Sequence, residues 1–111
     1  MKTKVLVDAG ICGFQSDLTA TSADDQHVDF DVISECEKVR AFAGLLKKGG
    51  SVDAFQEISP ASESVVLSAA RQTLKGCCAA CAAPVGVFKA MQVAAGLALP
   101  KDIVIEIAKE E

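Results

Sequence analysis

The stretch His27-Val-Asp-Phe-Asp-Val-Ile33-Ser34-Glu-Cys-Glu37 decides the fold, because the hydrophobic period changes inside it. Val28, Phe30 and Val32 alternate with His27, Asp29 and Asp31, the two-residue period of a strand with one buried and one acidic face. From Ser34 onward Cys36, Val39, Ala43 and Leu46 recur at helical spacing instead. Ser34 and Glu37 match the capping box, which predicts Ser34 as N-cap and Glu37 at the third helical position. A strand therefore hands over to a helix at Cys36, on the inward stripe of the helix's first turn.

Working outward, residues 15–23 pair with residues 27–33 as a hairpin around Asp24-Asp25-Gln26, and residues 5–8 form a first strand. Between them Gly10-Ile11-Cys12-Gly13 reads as a turn, which places Cys12 at an accessible position. Downstream, Gly49-Gly50 ends the first helix and a short element covers residues 52–58. Ser59-Pro60 predicts the start of a second helix, with Val65, Val66, Ala69, Thr73 and Leu74 on one face and Gly76 as its cap. Pro84 suits the first turn of a third helix through Val87, Phe88, Met91 and Ala95. Beyond Pro100, Ile103, Ile105 and Ile107 alternate with Val104 and Glu106, predicting a last strand over residues 102–108. The expected architecture is one α+β domain, residues 1–111, with an antiparallel sheet of about three to four strands and three helices packed on one face.

Composition narrows the function classes. Half of the 111 residues are apolar, enough for a core that needs no disulfide staples. The net charge of -4, with no basic run beyond Lys47-Lys48, argues against nucleic acid and anionic membranes as partners. Protein partners, including a second copy in a homodimer, remain. The first eight residues hold only three consecutive apolar residues before an acid, too few for a signal-peptide core, so a cytoplasmic, reducing location is expected. Residues 77–99 are apolar apart from Lys89 and Gln92, but their alanines, glycines, Pro84 and central lysine describe a buried helix better than a membrane span.

Five cysteines, at Cys12, Cys36, Cys77, Cys78 and Cys81, stand out in a chain with a single histidine. In a reducing compartment clustered thiols are more often metal-binding or catalytic than disulfide-bonded. Thiolates are the preferred ligands of zinc and of iron–sulfur clusters, so Cys12, Cys36, Cys78 and Cys81, with Cys77 alongside, form the candidate site. Cys78-Ala-Ala-Cys81 is also a C-x-x-C pair competent for thiol–disulfide or persulfide relay chemistry. The bland alternative is that each cysteine only packs as a small hydrophobe, in a binding or assembly module whose Gly86, Ala90 and Ala94 allow close helix contact in a homodimer. His27 lies on the outward phase of its strand between acids and reads as solvated, and Lys89 as a helix lysine reaching water. No serine triad and no phosphate loop is present, which favours a carrier or sensor over an enzyme.

Two resemblances add to this reading. A three-stranded start, Cys12-Gly13 in the first turn, Cys36 where the third strand enters a helix, and a last cysteine group opening an Ala-rich helix together resemble the U-type iron–sulfur cluster scaffold (IscU/NifU-like) proteins. That resemblance implies Cys12 as first ligand, Cys36 as second and Cys78 or Cys81 as third, holding zinc or a nascent cluster. Cys77 falls where the scaffolds have a histidine, and Phe14 where they have an aspartate that helps release the cluster. The stretches Ile11-Cys-Gly-Phe14, Cys81-Ala-Ala-Pro-Val-Gly86 and Gly96 to Lys101 are more closely similar to a small uncharacterised family of anaerobes and archaea. That second likeness implies membership without implying a function.

Overall fold

A computed structural model describes all 111 residues. Four antiparallel strands, β1 (Lys2–Asp8), β2 (Gln15–Thr21), β3 (His27–Ser34) and the two-residue β4 (Val52–Asp53), form a sheet in the order β1-β2-β3-β4. The register is continuous across the first three strands, with Val7 opposite Ser16 and Ser16 opposite Ser34. Helices α1 (Glu37–Lys48), α2 (Ala54–Glu57), α3 (Val65–Thr73) and α4 (Ala83–Ala94) complete the α+β architecture.

Alternation fixes which sheet face is covered. Val7, Leu18, Ala20 and Val28 are buried, whereas Leu6, Asp17, Asp29 and Ile33 on the opposite phase are exposed. Onto the buried face α1 brings Val39, Phe42 and Leu46 and α4 brings Val87, Ala90, Met91 and Ala94, while α3 packs Val66, Ala69 and Ala70 against α1 and α4. Phe42 is the largest side chain wholly withdrawn from water. Burying a side chain of that kind contributes roughly 1.5–3 kcal/mol.

Helix α4 lies so close to the sheet that only glycine fits at position 86. A Cβ there would stand 2.5 Å from Val7 Cγ2 and 2.9 Å from Leu18 Cδ1. Gly86, Ala90 and Ala94 are therefore spent inside the molecule, and the helix–helix dimer contact expected of them is not available. The apolar stretch Gly76–Ala94 passes a membrane-span test by length and composition. Here it is divided into a short 3₁₀ turn and the 12-residue α4, the core helix of this domain.

Several local expectations are corrected. Ser34 does not cap α1; it ends β3, and Cys36 occupies the N-cap with no side-chain cap bond. Ser34 Oγ instead accepts the Cys36 N–H at 3.1 Å, a local turn that competes with the capping box. The second long helix starts at Ser64 and not at Ser59-Pro60, because a buried carboxylate supplies its cap. Glu57 accepts the Val65 and Val66 N–H groups at 2.7 and 2.8 Å and the Ser64 hydroxyl at 2.8 Å. That helix ends at Leu74, while Gly76, at φ 62°, opens the 3₁₀ turn Gly76–Cys78 in a conformation suited to glycine. Residues 102–108 form no strand: they have no partner strand and all are exposed. Alternation alone does not make a strand: the segment must also be hydrogen-bonded to an edge, and here it is not.

Candidate cysteine-rich site

Each cysteine segment is placed by a separate local device. Cys12 sits in the β1–β2 loop, where Gly10 and Gly13 adopt φ values of 85° and 77°. The Gly13 N–H donates to the Gly10 carbonyl at 2.9 Å, closing a turn with Ile11 and Cys12 at its tip. Cys12 is exposed, as a loop tip predicts.

Cys36 stands at the β3–α1 corner. Ser16, buried on the inward phase of β2, donates its hydroxyl to Ser34 Oγ at 3.0 Å, and Ser34 Oγ in turn holds the Cys36 N–H. The Cys36 carbonyl accepts the Arg40 N–H at 3.0 Å, so its backbone is fixed on both sides. Its side chain is half-buried against the core. The Ser16–Ser34 pair positions Cys36, and sequence reasoning missed it. The available signal was a serine at an inward-facing position of β2, beside Leu18 and Ala20.

The third segment joins α3 to α4. The Cys78 N–H donates to the Lys75 carbonyl at 3.2 Å and the Cys81 N–H to the Cys78 carbonyl at 3.1 Å. That second bond makes Cys78 to Cys81 a closed β-turn, a geometry that holds the two Cα atoms within about 7 Å. Cys78 and Cys81 pack partly on the core, and Cys77 faces water.

The topology brings the first two of these segments to one end of the sheet. Because Asp8 pairs with Gln15 and Ser16 with Ser34, the β1–β2 loop and the β3–α1 corner leave the sheet on the same side. Gly86, the fourth residue of α4, rests over Val7 and Leu18, near that end, so Cys81 stands only five residues before a contact close to the same end. Asp8, Glu35, Glu37 and Lys75 are the exposed charges bordering the segments. Convergence stops short of coordination: no three cysteine, histidine or acidic side chains come together as a group able to hold a metal ion. What the fold presents is a dithiol turn, with one half-buried and two exposed thiols besides, all five free.

His27 lies at the opposite end, beyond the β2–β3 turn, and is exposed as predicted. Its partner is Asp24, whose Oδ2 lies 2.7 Å from His27 Nδ1. That hydrogen bond raises the histidine pKa above its ordinary 6.5. The same bond, with backbone donations from His27 and Gln26, holds the Asp24 carboxyl well below the usual carboxylate range. On a surface this open the pair fixes a turn and adds little stability.

No curated protein and no solved structure matches the chain. A family model described as "Family of unknown function (DUF6951)" matches residues 3–107, which takes in all of the sheet but Lys2, every helix and all five cysteines. The chain is a member of that family of unknown function.

Proposed function

We propose that this protein carries or senses a soft metal ion or an iron–sulfur cluster, taken up by thiolates at the cysteine-rich end of its sheet. The observation that carries this reading is that Cys12 and Cys36 flank the same end of the sheet, with the Cys77–Cys81 run a few residues before the contact of Gly86 with Val7 and Leu18. Zinc and iron–sulfur clusters both select thiolate donors. Cys78 and Cys81 supply the first two, since their turn already holds them close. Cys36 follows from the fixed β3–α1 corner, and Cys12, with Cys77 as alternate, from the exposed segments. Three thiolates leave a position open for exchange with a protein partner, whereas four close the site. Because no three donors are prearranged, uptake draws the β1–β2 loop inward, and binding free energy is spent on local ordering.

The test is metal and acid-labile sulfide content after strictly anaerobic purification, with a Cys12→Ser, Cys36→Ser, Cys81→Ser triple variant alongside. Near-stoichiometric zinc, or iron with sulfide, in the wild type alone is the expected result. A metal-free wild type that is folded and has titratable thiols overturns it.

One observation favours a second reading. The Cys78–Cys81 turn brings two Cα atoms into the separation a disulfide needs, about 4.4–6.8 Å. In a thiol–disulfide relay the pair gives up two electrons and two protons to a partner's disulfide, forming one S–S bond and reducing the other. Reversible formation of a Cys78–Cys81 disulfide, with no metal uptake, identifies this role.

A further inference from the structure

Strand β1 is an edge: it pairs with β2 on one side and with nothing on the other. Its seven residues run Lys2-Thr-Lys-Val-Leu-Val-Asp8, with Thr3, Val5 and Val7 on the phase that turns toward the helices. An open edge of this length presents a row of unpaired N–H and C=O groups, which is a template for another strand. At the other end of the chain, residues 102–108 carry the alternation of a strand but none of its pairing. Ile103, Val104, Ile105 and Ile107 are exposed, Ile107 at 91 %. Four large aliphatic residues close together in water are a liability unless another surface covers them.

We infer that residues 103–107 add to the β1 edge of a second copy, reciprocally, to give a two-fold dimer. Edge and arm match in three respects. Laid antiparallel with Val5 opposite Ile105, the arm sets Ile103 against Val7 and Ile107 against Thr3, so its isoleucines extend the apolar layer under α4. On the opposite face the same register places Glu106 beside Lys4 and Val104 beside Leu6. Opposite-charge and aliphatic cross-strand pairs are the units of sheet stabilisation. In length, the arm's five residues fit within the seven of β1. The family match, residues 3–107, also takes in both β1 and the arm, so the two belong to one unit. Because each copy offers one arm and one edge, exchange closes after two chains. The site is independent of the cysteines.

The test is sedimentation equilibrium of the full chain in reducing buffer, over a range of protein concentrations. The wild type is expected to be dimeric. A Val104→Pro, Ile105→Pro variant removes backbone donors of both phases from an arm that has no backbone hydrogen bond within its own chain, so it is expected to be monomeric with the helical signal of its circular dichroism spectrum unchanged. The two-fold dimer contains the Lys4–Glu106 pair twice, so Lys4→Glu and Glu106→Lys each raise the dimer dissociation constant roughly two- to thirty-fold, and the double variant restores it. A monomeric wild type, or a dimer unaffected by the two prolines, overturns the inference.

Discussion

Removing the Glu57 carboxylate tests how the fold delivers the cysteine run, because α3, whose start Glu57 caps, leads directly into Gly76–Cys81. Glu57 is 6 % exposed and accepts three hydrogen bonds, from Ser64 Oγ, Val65 N and Val66 N. In Glu57→Ala the Val66 N–H loses its partner in a fully buried setting, which costs roughly 1–3 kcal/mol. Ser64 and Val65 are more exposed, so water replaces much of what they lose. The combined loss comes to about 3 kcal/mol, above the roughly 0.5–2 kcal/mol usual for a lost helix cap because a buried N–H is left without a partner. For a domain of this size that is a fall in Tm of roughly 12 °C. Glu57→Gln keeps one acceptor oxygen and gives up the charge and the second oxygen, so about half the loss is expected. Glu63→Ala, an exposed acid one residue before the same cap, serves as control and stays within about 0.5 kcal/mol of wild type. Urea denaturation followed by circular dichroism under reducing conditions reads the midpoint shift, with an unchanged slope as evidence that only stability moved. A Glu57→Ala midpoint equal to that of Glu63→Ala refutes the reasoning.

Three further outcomes follow from the geometry. Gly86→Ala drives a methyl into Val7 and Leu18 and lowers stability by about 1–3 kcal/mol, whereas Gly44→Ala, in open space on α1, raises it by roughly 0.4–1 kcal/mol; thermal melts of the two variants should move in opposite directions. His27, its pKa raised by Asp24, contributes stability that is full below 6.5 and lost as pH rises through its folded value, while Asp24 contributes above 3.8 and loses it as pH falls. An NMR titration of Asp24→Asn should therefore show His27 titrating lower than in wild type, and an unchanged midpoint would contradict the pairing. Mild oxidation with diamide should join Cys78 to Cys81 first, as read by peptide mass mapping; a Cys12–Cys36 disulfide forming ahead of it would show that the turn does not control thiol proximity.

Much of the fold was legible because the sheet carries its own alternation. Val28, Phe30 and Val32 against His27, Asp29 and Asp31 specified β3, and Gly49 and Pro84 marked the end of α1 and the first turn of α4. The helix starts were less legible where a tertiary partner replaces a local cap. Ser59-Pro60 has the right residues for an N-terminus, yet Glu57 and Ser64 together outcompete it with three hydrogen bonds that no local pattern reveals. Ser34 erred in the same way, since Ser16 across the strand pair redirects its hydroxyl. The alternation of residues 102–108 predicts a strand, but a periodic pattern does not say whether a partner strand is at hand, and within the chain none pairs with it. For the cysteines, sequence located the turn at Cys12, the corner at Cys36 and the interhelical run. Strand register brings Cys12 and Cys36 to one end, and the contact of Gly86 with β1 and β2 sets where α4 and the run before it sit, and only the folded chain supplies either.

If thiolates from separate segments close on one soft metal, as proposed, X-ray absorption spectroscopy of the zinc-loaded full chain should show at least three sulfur neighbours at about 2.3 Å. Cys36→Ser and Cys81→Ser should each remove one of them. Zinc held by nitrogen and oxygen with at most two sulfurs, or a spectrum indifferent to Cys36→Ser, would contradict the proposal.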